Sequence, residues 1–284
     1  MPTVPTLFTR CLPAVPPRAL LRMAGRALLR RVLPSACALC GMACDETICA
    51  PCHAQFFGMA VARCRQCANP LMDEAHAKAT ATGNAVALVA DSDSVPNSHA
   101  HDSSQLCGRC LAQAPAFDAT LVAASYELPL DQLVLQLKFG HRLALAALFA
   151  HCLRDAVLQQ PGFVLPELLC PVPLGARRLA ERGYNQALEI ARPLARTLGV
   201  ALHPRLAARV RETPAQSGVA PEQRQHNIAR AFAIEDAALV EGRHIGVVDD
   251  VMTSGQTLNE LAATFKRYGA ARVTNLVFAR TPPH

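Results

Sequence analysis

The sequence contains no tryptophan, and its aromatic residues are limited to 3 tyrosines and 10 phenylalanines. Proteins that bind single-stranded nucleic acids often stack the bases on aromatic side chains, so a surface built mainly on aromatic platforms is not expected. Long apolar runs are also absent, and no stretch approaches the roughly 18 residues that cross a membrane. With 284 residues and 51 % apolar content, the chain is typical of a soluble protein with one or two domains.

Two common nucleotide-binding motifs are missing. No Gly-x-Gly-x-x-Gly occurs, which argues against a dinucleotide site, and no glycine-rich loop ends in Gly-Lys-Ser or Gly-Lys-Thr, which excludes a nucleoside-triphosphate P-loop. The sequence shows no set of three His and Glu ligands of the kind that holds a catalytic zinc ion. Any phosphate or metal site therefore has to rest on other patterns.

Acidic residues are absent from the start of the chain, where the first is Asp45. Arginines precede it: Arg10, Arg18, Arg22, Arg26, Arg30 and Arg31. We predict a basic, partly disordered extension over residues 1–34 with one helix at about 18–32, on which arginines recur every four residues as a stripe. The stripe either binds an anionic partner such as nucleic acid or a membrane surface, or is a solvated helix face. A transit peptide has a similar composition.

Cysteine is abundant, with 12 residues, and most of these form Cys-x-x-Cys pairs. The pairs are Cys37/Cys40, Cys49/Cys52, Cys64/Cys67 and Cys107/Cys110. This spacing predicts metal binding in a reducing compartment, and four thiolates complete a tetrahedral structural zinc site. We expect two such sites, formed either by consecutive pairs or by an interleaved arrangement of the first pair with the third. Cys44 is a spare thiol that can substitute for a ligand, and Arg63, Arg65 and Arg109 can offset the excess negative charge.

The segment between the last two pairs, residues 68–106, is rich in Ala, Asp, Ser, Asn and His and has no sustained apolar period. It is typical of a flexible insertion. We expect its histidines His76, His99 and His101 to be solvated and not to bind metal.

The most informative stretch is Ile245 to Thr257. An apolar, β-branched run predicts a buried strand that stops at Asp249 and Asp250, and a loop of small hydroxyl residues and one glycine follows. Apolar residues then recur at helical spacing until Gly269, which predicts a helix. Backbone N–H groups and hydroxyls at a helix N-terminus favour a phosphate, whereas adjacent carboxylates suit the hydroxyls of a sugar. A phosphorylated ribose satisfies both.

The amino-acid composition changes at Ala116, and this change predicts the start of a second domain. We expect a strand at 119–126, helices over about 130–139 and 144–158, with Cys152 as a core thiol, and a strand at 165–170. Three arginines, Arg177, Arg178 and Arg182, follow the last strand, and their planar forks of donors suit phosphate oxygens. The polar segment 205–230 is typical of a mobile loop.

Together, these motifs resemble those of a known family. Asp249 to Thr257 looks like the phosphoribosyl-pyrophosphate (PRPP) motif of type I phosphoribosyltransferases, with Ser254 in place of a threonine. Pro-Val-Pro-Leu174, the motif Arg182-Gly-Tyr-Asn-Gln186, and the series Arg209, Arg211, Thr213, Gln216, Arg224 and Asn227 add a specific resemblance to the ComF family. It covers roughly residues 35–284 apart from the insertion; the insertion, the basic extension and Val219, where leucine is common, depart from the pattern.

This resemblance implies an α/β protein of the type I phosphoribosyltransferase fold, a mostly parallel sheet flanked by helices, preceded by a small double zinc-ribbon module with four cysteines per metal ion. It implies that the extension at 1–34 precedes a double zinc ribbon at 35–115, which the insertion interrupts at 68–106, and a phosphoribosyltransferase domain at 116–284. It also favours a bacterial cytoplasmic protein over one with a transit peptide. PRPP would bind with Mg²⁺, its ribose on Asp249 and Asp250. Its 5′-phosphate would lie on the loop Val251, Met252, Thr253, Ser254, Gly255, Gln256 and Thr257.

The same resemblance makes Arg177, Arg178 and Arg182 candidates for stabilising the departing pyrophosphate, and the loop at 205–230 a cover that excludes water. Two functions stay open. The first is a phosphoribosyltransferase with an unknown acceptor, linked to DNA uptake or use of external DNA. The second is a non-catalytic protein that binds single-stranded DNA or the DNA-uptake machinery; a regulator that senses PRPP is a weaker third possibility.

Overall fold

The structure is a computed structural model that describes residues 35–57, 61–71, 106–210 and 231–282. The predicted helix at 18–32 lies outside these residues, as do nearly all of the insertion at 68–106 and most of the predicted mobile loop at 205–230. The chain divides into two compact units, residues 1–49 and 50–284. Over the described ranges, the structure contains no helix with the length and apolar content that a membrane span requires.

The first unit contains a short antiparallel ladder. Strands β1 (Ser35–Ala36) and β2 (Ala43–Cys44) pair, and between them the Cys37 amide donates to the Met42 carbonyl at 2.8 Å. Gly41 completes the turn with φ +74°, a conformation that L side chains rarely adopt. The tight turn brings the sulfurs of a Cys-x-x-Cys pair to the same side.

The second unit is built on a five-stranded sheet in the order β3-β9-β8-β4-β5, in which all neighbours are parallel. Its strands are β3 (Ala119–Ser125), β4 (Leu168–Pro171), β5 (Ala201–Leu202), β8 (His244–Met252) and β9 (Arg272–Arg280). A separate antiparallel pair joins β6 (Ala207–Arg209) to β7 (Phe232–Ile234). The predicted fold class is confirmed: this is an α/β protein with a parallel central sheet.

Helices connect the strands and cover the sheet. They are α1 (Ala50–Phe57), α2 (Gly108–Ala112), α3 (Leu130–Phe139), α4 (Ala144–Gln159), α5 (Ala176–Arg182), α6 (Gln186–Leu198) and α7 (Gln256–Arg267). In α3 the predicted apolar face, Leu130, Leu133, Val134 and Leu137, is buried. Cys152 in α4 is a buried core thiol, and burial raises its pKa to about 12.

The strand with the acidic pair is longer than the sequence pattern predicts. The apolar run ends at Val248, but β8 continues through both aspartates to Met252 because it stays paired with β9, in the register Val251↔Ala279 and Met252↔Arg280. The prediction that the strand stops at the carboxylates was wrong. Hydrogen bonding to a neighbouring strand, which local composition does not show, extends it.

Strand order identifies where this sheet can bind a ligand. The strand after β4 is β5, which lies on one side of it, whereas the strand after β8 is β9, which lies on the other side. The connections therefore diverge between β4 and β8, and open parallel sheets bind ligands outside the carboxyl ends of the strands at such a point. This point lies where β8 carries Asp249 and Asp250.

Candidate functional site

The two aspartates at the end of β8 differ in exposure and partners. Asp250 is 3 % exposed, and its Oδ2 forms an ion pair with Nζ of Lys138 at 2.8 Å, whereas Asp249 is half-buried and its Oδ1 accepts a hydrogen bond from the Asp250 amide at 2.9 Å. Lys138 lies in the last turn of α3. The sequence pattern marked Lys138 only as the end of a helix, because its partner belongs to a strand that is distant in the chain.

The surroundings of Asp249 and Asp250 disfavour a negative charge on both carboxyl groups at the same time. Burial, the adjacent charge of Asp250 and a hydrogen bond between the two carboxyl groups raise the pKa of Asp249 well above its ordinary value, and Lys138 and the Asp250 amide partly oppose the shift. A divalent cation or the hydroxyl donors of a sugar would relieve this repulsion. Two adjacent carboxyl groups can chemically accept hydrogen bonds from hydroxyl groups or bind a cation.

The loop after β8 makes a sharp turn into α7. Gly255 is the N-cap residue with φ +79°, a backbone conformation that favours glycine, and a Cβ there would displace the flexible end of the Met252 side chain, whose Cε lies 2.5 Å away. Ser254 Oγ accepts from the Gln256 amide at 3.4 Å. The helix N-terminus, with its positive dipole end, follows directly on the acidic pair.

Arg280, at the end of β9, holds this loop in place through hydrogen bonds to its backbone. It is only 3 % exposed, and its Nη1 donates to the carbonyl oxygens of Met252 at 2.9 Å and of Thr253, and to that of Thr281 at 2.8 Å. Its Nε donates to the carbonyl oxygen of Cys67 at 3.1 Å. Sequence analysis missed Arg280, because a single arginine after an apolar strand gives no signal of burial.

The three arginines of the second motif lie on α5, which follows β4, the strand beside β8. Arg177 forms an exposed ion pair with Glu181 at 3.6 Å, Arg178 is half-buried, and Arg182 Nη1 donates to Gln186 Oε1 at 2.5 Å. Topology thus brings them to the same sheet edge as the acidic pair.

A rim of aromatic and basic side chains borders this edge. Phe139 is 67 % exposed and has the guanidinium of Arg182 over its ring at 5.2 Å. His141 and Tyr184 meet edge to face at 5.9 Å, and the Tyr184 hydroxyl donates to the Leu137 carbonyl. We call Phe139, His141, Arg182 and Tyr184 the rim surface. Composition could not predict it, because its members come from separate motifs.

The eight paired cysteines form two groups, and these follow the chain order of the pairs and not the interleaved arrangement. Cys37, Cys40, Cys49 and Cys52 form the first set, and Cys64, Cys67, Cys107 and Cys110 form the second; within each, all the sulfurs lie within 4.8 Å of one another. Cys44 belongs to neither, and its Sγ donates to the Glu46 carbonyl at 2.9 Å.

Both sets fit a zinc ion. A tetrahedron with Zn–S bonds of about 2.3 Å has S···S edges of about 3.8 Å, and the sulfurs are 3.7 Å apart in Cys40/Cys49 and 3.5 Å apart in Cys67/Cys107. Burial opposes ionisation, but hydrogen bonds from backbone amides lower the pKa of Cys37 to about 6 and of Cys64 to about 7. Burial and neighbouring thiols raise the pKa of Cys110, so a full set of thiolates needs a cation.

The second set is part of the hydrophobic core of the larger unit. Cys64, Cys67 and Cys110 pack in one buried cluster with residues of β8 and α7, including Val247, Met252 and Leu258. A metal ion in this set would therefore be embedded in the same core that supports the acidic pair and the glycine loop.

Comparisons with known proteins agree with this architecture. Residues 185–283 match the family model of the phosphoribosyl transferase domain, and residues 28–81 match that of the double zinc ribbon domain. Together with the parallel sheet and the two cysteine sets, these matches define a protein of the type I phosphoribosyltransferase fold with an N-terminal double zinc ribbon.

Three curated relatives are similar along most of their length. The DNA utilization protein YhgH of Salmonella typhi is 39 % identical over 178 residues, covering 62 % of this chain and 78 % of the relative; its Escherichia coli K12 counterpart is 36 % identical over 190 residues, covering 66 % and 82 %. Competence protein F of Haemophilus influenzae is 33 % identical over 174 residues, covering 60 % and 76 %. The chain belongs to the ComF family, as its motifs indicate.

A cysteine substitution tests the first metal set. We expect Cys49→Ser to reduce bound zinc from about two ions to about one per chain, because three thiolates hold the ion far less well than four. The matched control is Cys44→Ser, which removes a sulfur outside both sets and should leave about two. Zinc is measured by mass spectrometry of purified full-length protein, and full retention in Cys49→Ser would contradict the ligand set.

The acidic pair should lower stability at neutral pH. The pKa of Asp249 is higher in the folded state than its ordinary value of 3.8. Ionisation of Asp249 above pH 3.8 therefore costs free energy in the folded state, and this cost disappears as pH falls toward 3.8. Asp249→Asn, which keeps an oxygen for the Asp250 amide, should therefore raise the free energy of unfolding at pH 7.5, with a gain that shrinks as pH falls.

The measurement is urea unfolding of wild type and variant without ligand between pH 7.5 and pH 4.5. Asp155→Asn is the control, because Asp155 lies at the surface beside Arg154 with its side chain 34 % exposed. A loss of stability in Asp249→Asn at pH 7.5 would show that the pair is not under repulsion.

Proposed function

We propose that this protein is a cytoplasmic enzyme that binds PRPP with Mg²⁺ and transfers its phosphoribosyl group to a nitrogen acceptor. The observation that supports this most strongly is the acidic pair on β8, directly before the Gly255 turn into α7, at the divergence of the sheet connections. Groups that would bind an anion and groups that would bind hydroxyls are thus neighbours on one edge, which suits a sugar phosphate.

Each end of the ligand has a matching group. Asp249 and Asp250 would accept hydrogen bonds from the ribose hydroxyls, and the 253–257 segment would bind the 5′-phosphate through its backbone amides and hydroxyls. Lys138, at 2.8 Å from Asp250, offsets the negative charge of the pair in the absence of ligand. Magnesium, when bound, would supply positive charge to the hydroxyl and pyrophosphate oxygens near these carboxylates.

The departing pyrophosphate needs cations placed before the reaction begins. Arg177, Arg178 and Arg182 lie on α5 beside the same edge, and planar guanidinium groups bind phosphate oxygens through pairs of hydrogen bonds. Such preorganised charge lowers the barrier because it stabilises the pyrophosphate as negative charge develops on it.

A second candidate function is binding of single-stranded DNA, which the rim surface favours. Phe139 exposes most of its ring next to Arg182, and Arg142 is exposed nearby in the chain, so a base can stack while arginines contact the backbone. The names of the relatives, DNA utilization protein and competence protein, point the same way. An enzyme that acts on a strand and a protein that only binds one would both use this surface.

Thermal unfolding with Mg²⁺ and PRPP tests the proposed function. Ligand at a hundred times its dissociation constant stabilises the folded state by about 2.7 kcal/mol, which corresponds to a rise in Tm of about 5 to 10 °C for a domain of this size. We expect this rise in wild type and in the control Asp131→Asn, and its loss in Asp250→Asn. No rise in folded, zinc-loaded wild type would contradict PRPP binding.

The nucleic-acid function makes a separate prediction. Phe139→Ala should weaken binding of a labelled oligonucleotide about 5-fold to 150-fold, the range of 1 to 3 kcal/mol for a stacked base. Leu158→Ala is the control, because Leu158 is equally exposed, at 72 %, but lies at the end of α4 outside the rim surface. Fluorescence anisotropy at a stated salt concentration measures it, and equal affinity of the two variants would exclude stacking on Phe139.

A further inference from the structure

One buried side chain contacts both the second cysteine set and the glycine loop. Arg280 donates from Nε to the carbonyl oxygen of Cys67, and from Nη1 to the carbonyl oxygens of Met252 and Thr253. We propose that Arg280 is a positioning residue through which metal binding at the second cysteine set fixes the geometry of the phosphate loop, an inference that rests on the proposed function only for the identity of the ligand.

Arginine is suited to this place because of its shape. The planar fork points donors in several fixed directions at once, whereas lysine offers a single point charge on a flexible stem. At 3 % exposure, no water can replace a lost partner of the guanidinium. If the Cys67 carbonyl moves, Arg280 can keep its hydrogen bonds only if its side chain, or the carbonyls of Met252 and Thr253, move as well.

The energetic cost of burying the charge of Arg280 also depends on the cysteine set. Among the ion pairs of the described residues none includes Arg280, and its hydrogen bonds go to backbone carbonyls. Four thiolates and one Zn²⁺ carry a net charge of about −2. A loaded second set therefore supplies the opposite charge that an otherwise unpaired buried guanidinium needs.

The turn that carries Cys67 is attached to the sheet at more than one point. Arg63 donates to the Ala68 carbonyl at 3.1 Å and to Oγ of Ser125 at 2.8 Å, and Ser125 is the residue of β3 that pairs with Arg280. The Thr120 amide donates to the Arg65 carbonyl at 3.1 Å. The turn is thus held on β3 and β9 by hydrogen bonds and within itself by its two metal ligands, Cys64 and Cys67.

A general loss of stability on zinc removal is the competing explanation, and the two cysteine sets allow a matched test. Cys49→Ser and Cys107→Ser each remove one half-buried ligand, the first from the first set and the second from the second set. Coupling through Arg280 predicts that only Cys107→Ser alters the loop. Effects of equal size would contradict the proposal.

Hydrogen exchange gives a readout that needs no ligand. Amides of residues 252–257 should exchange about 10-fold faster in Cys107→Ser than in wild type, whereas Cys49→Ser, prepared in the same way, should stay within about 2-fold of wild type. Exchange in the strand β4, which Arg280 does not contact, serves as the internal reference. Unchanged exchange at 252–257 in Cys107→Ser would overturn the proposal, even if PRPP proves not to be the ligand.

Affinity measurements identify the residue that carries the coupling. With Mg²⁺ and PRPP in calorimetry, Cys107→Ser should weaken binding about 10-fold in the wild-type background but less than about 2-fold when combined with Arg280→Gln. Arg272→Gln, at the opposite end of the same strand, is the control and should leave the full effect in place. Additive losses in the double variant would overturn the role of Arg280.

Reciprocity supplies the last check, because a ligand favoured by metal binding must also retain the metal. Saturating Mg²⁺ and PRPP should tighten equilibrium binding of the second zinc about 10-fold in wild type, measured by competition with a chromogenic chelator, and leave it unchanged in Arg280→Lys, a variant that keeps the charge and loses the fork. Equal tightening in both proteins would contradict the proposal. Absence of any PRPP binding would remove the proposed function, and the exchange experiment alone would then decide the coupling.

Discussion

The parallel ladder between β8 and β9 is the interaction on which the site depends. It continues past the apolar part of β8 to Met252↔Arg280, so that the strand carries the acidic pair in regular conformation up to the Gly255 turn. The same register sets Arg280 beside the carbonyl of Met252. If the ladder ended at Val248, the aspartates would lie on a loop, and neither the ion pair with Lys138 nor the contacts of Arg280 would be fixed.

Buried charges at this edge contact groups that are distant from them in the sequence. Lys138 offsets Asp250, and Arg280 sits among carbonyls near the thiols of the second cysteine set. Both are single cations from separate elements, and each contacts an anionic or dipolar group that the fold has buried. The charge at this edge is therefore set by contacts between elements that are distant in the chain.

Sequence alone predicted the parts of this protein that are local. The Cys-x-x-Cys pairs, the apolar face of α3, and the order of strand, acids, glycine loop and helix each lie within about 20 residues, where spacing and propensity decide the outcome. What it missed depends on pairing across the chain: the extension of β8 to Met252, the ion pair of Lys138, and the burial of Arg280. None of these has a local pattern, because a charged residue at the end of an apolar run has the same composition whether it is solvated or buried.

The acidic pair itself separates the two candidate functions. A surface that only bound nucleic acid would gain nothing from two carboxylates at its edge, because they repel phosphates and burial beside Asp250 disfavours a charge on Asp249. A sugar with free hydroxyls gains hydrogen bonds from the same pair, and a bound divalent cation removes the repulsion. Under the proposed function the acidic pair would bind a ribose and the rim surface a base, so a single edge that carries both favours an acceptor that approaches a sugar phosphate already bound there.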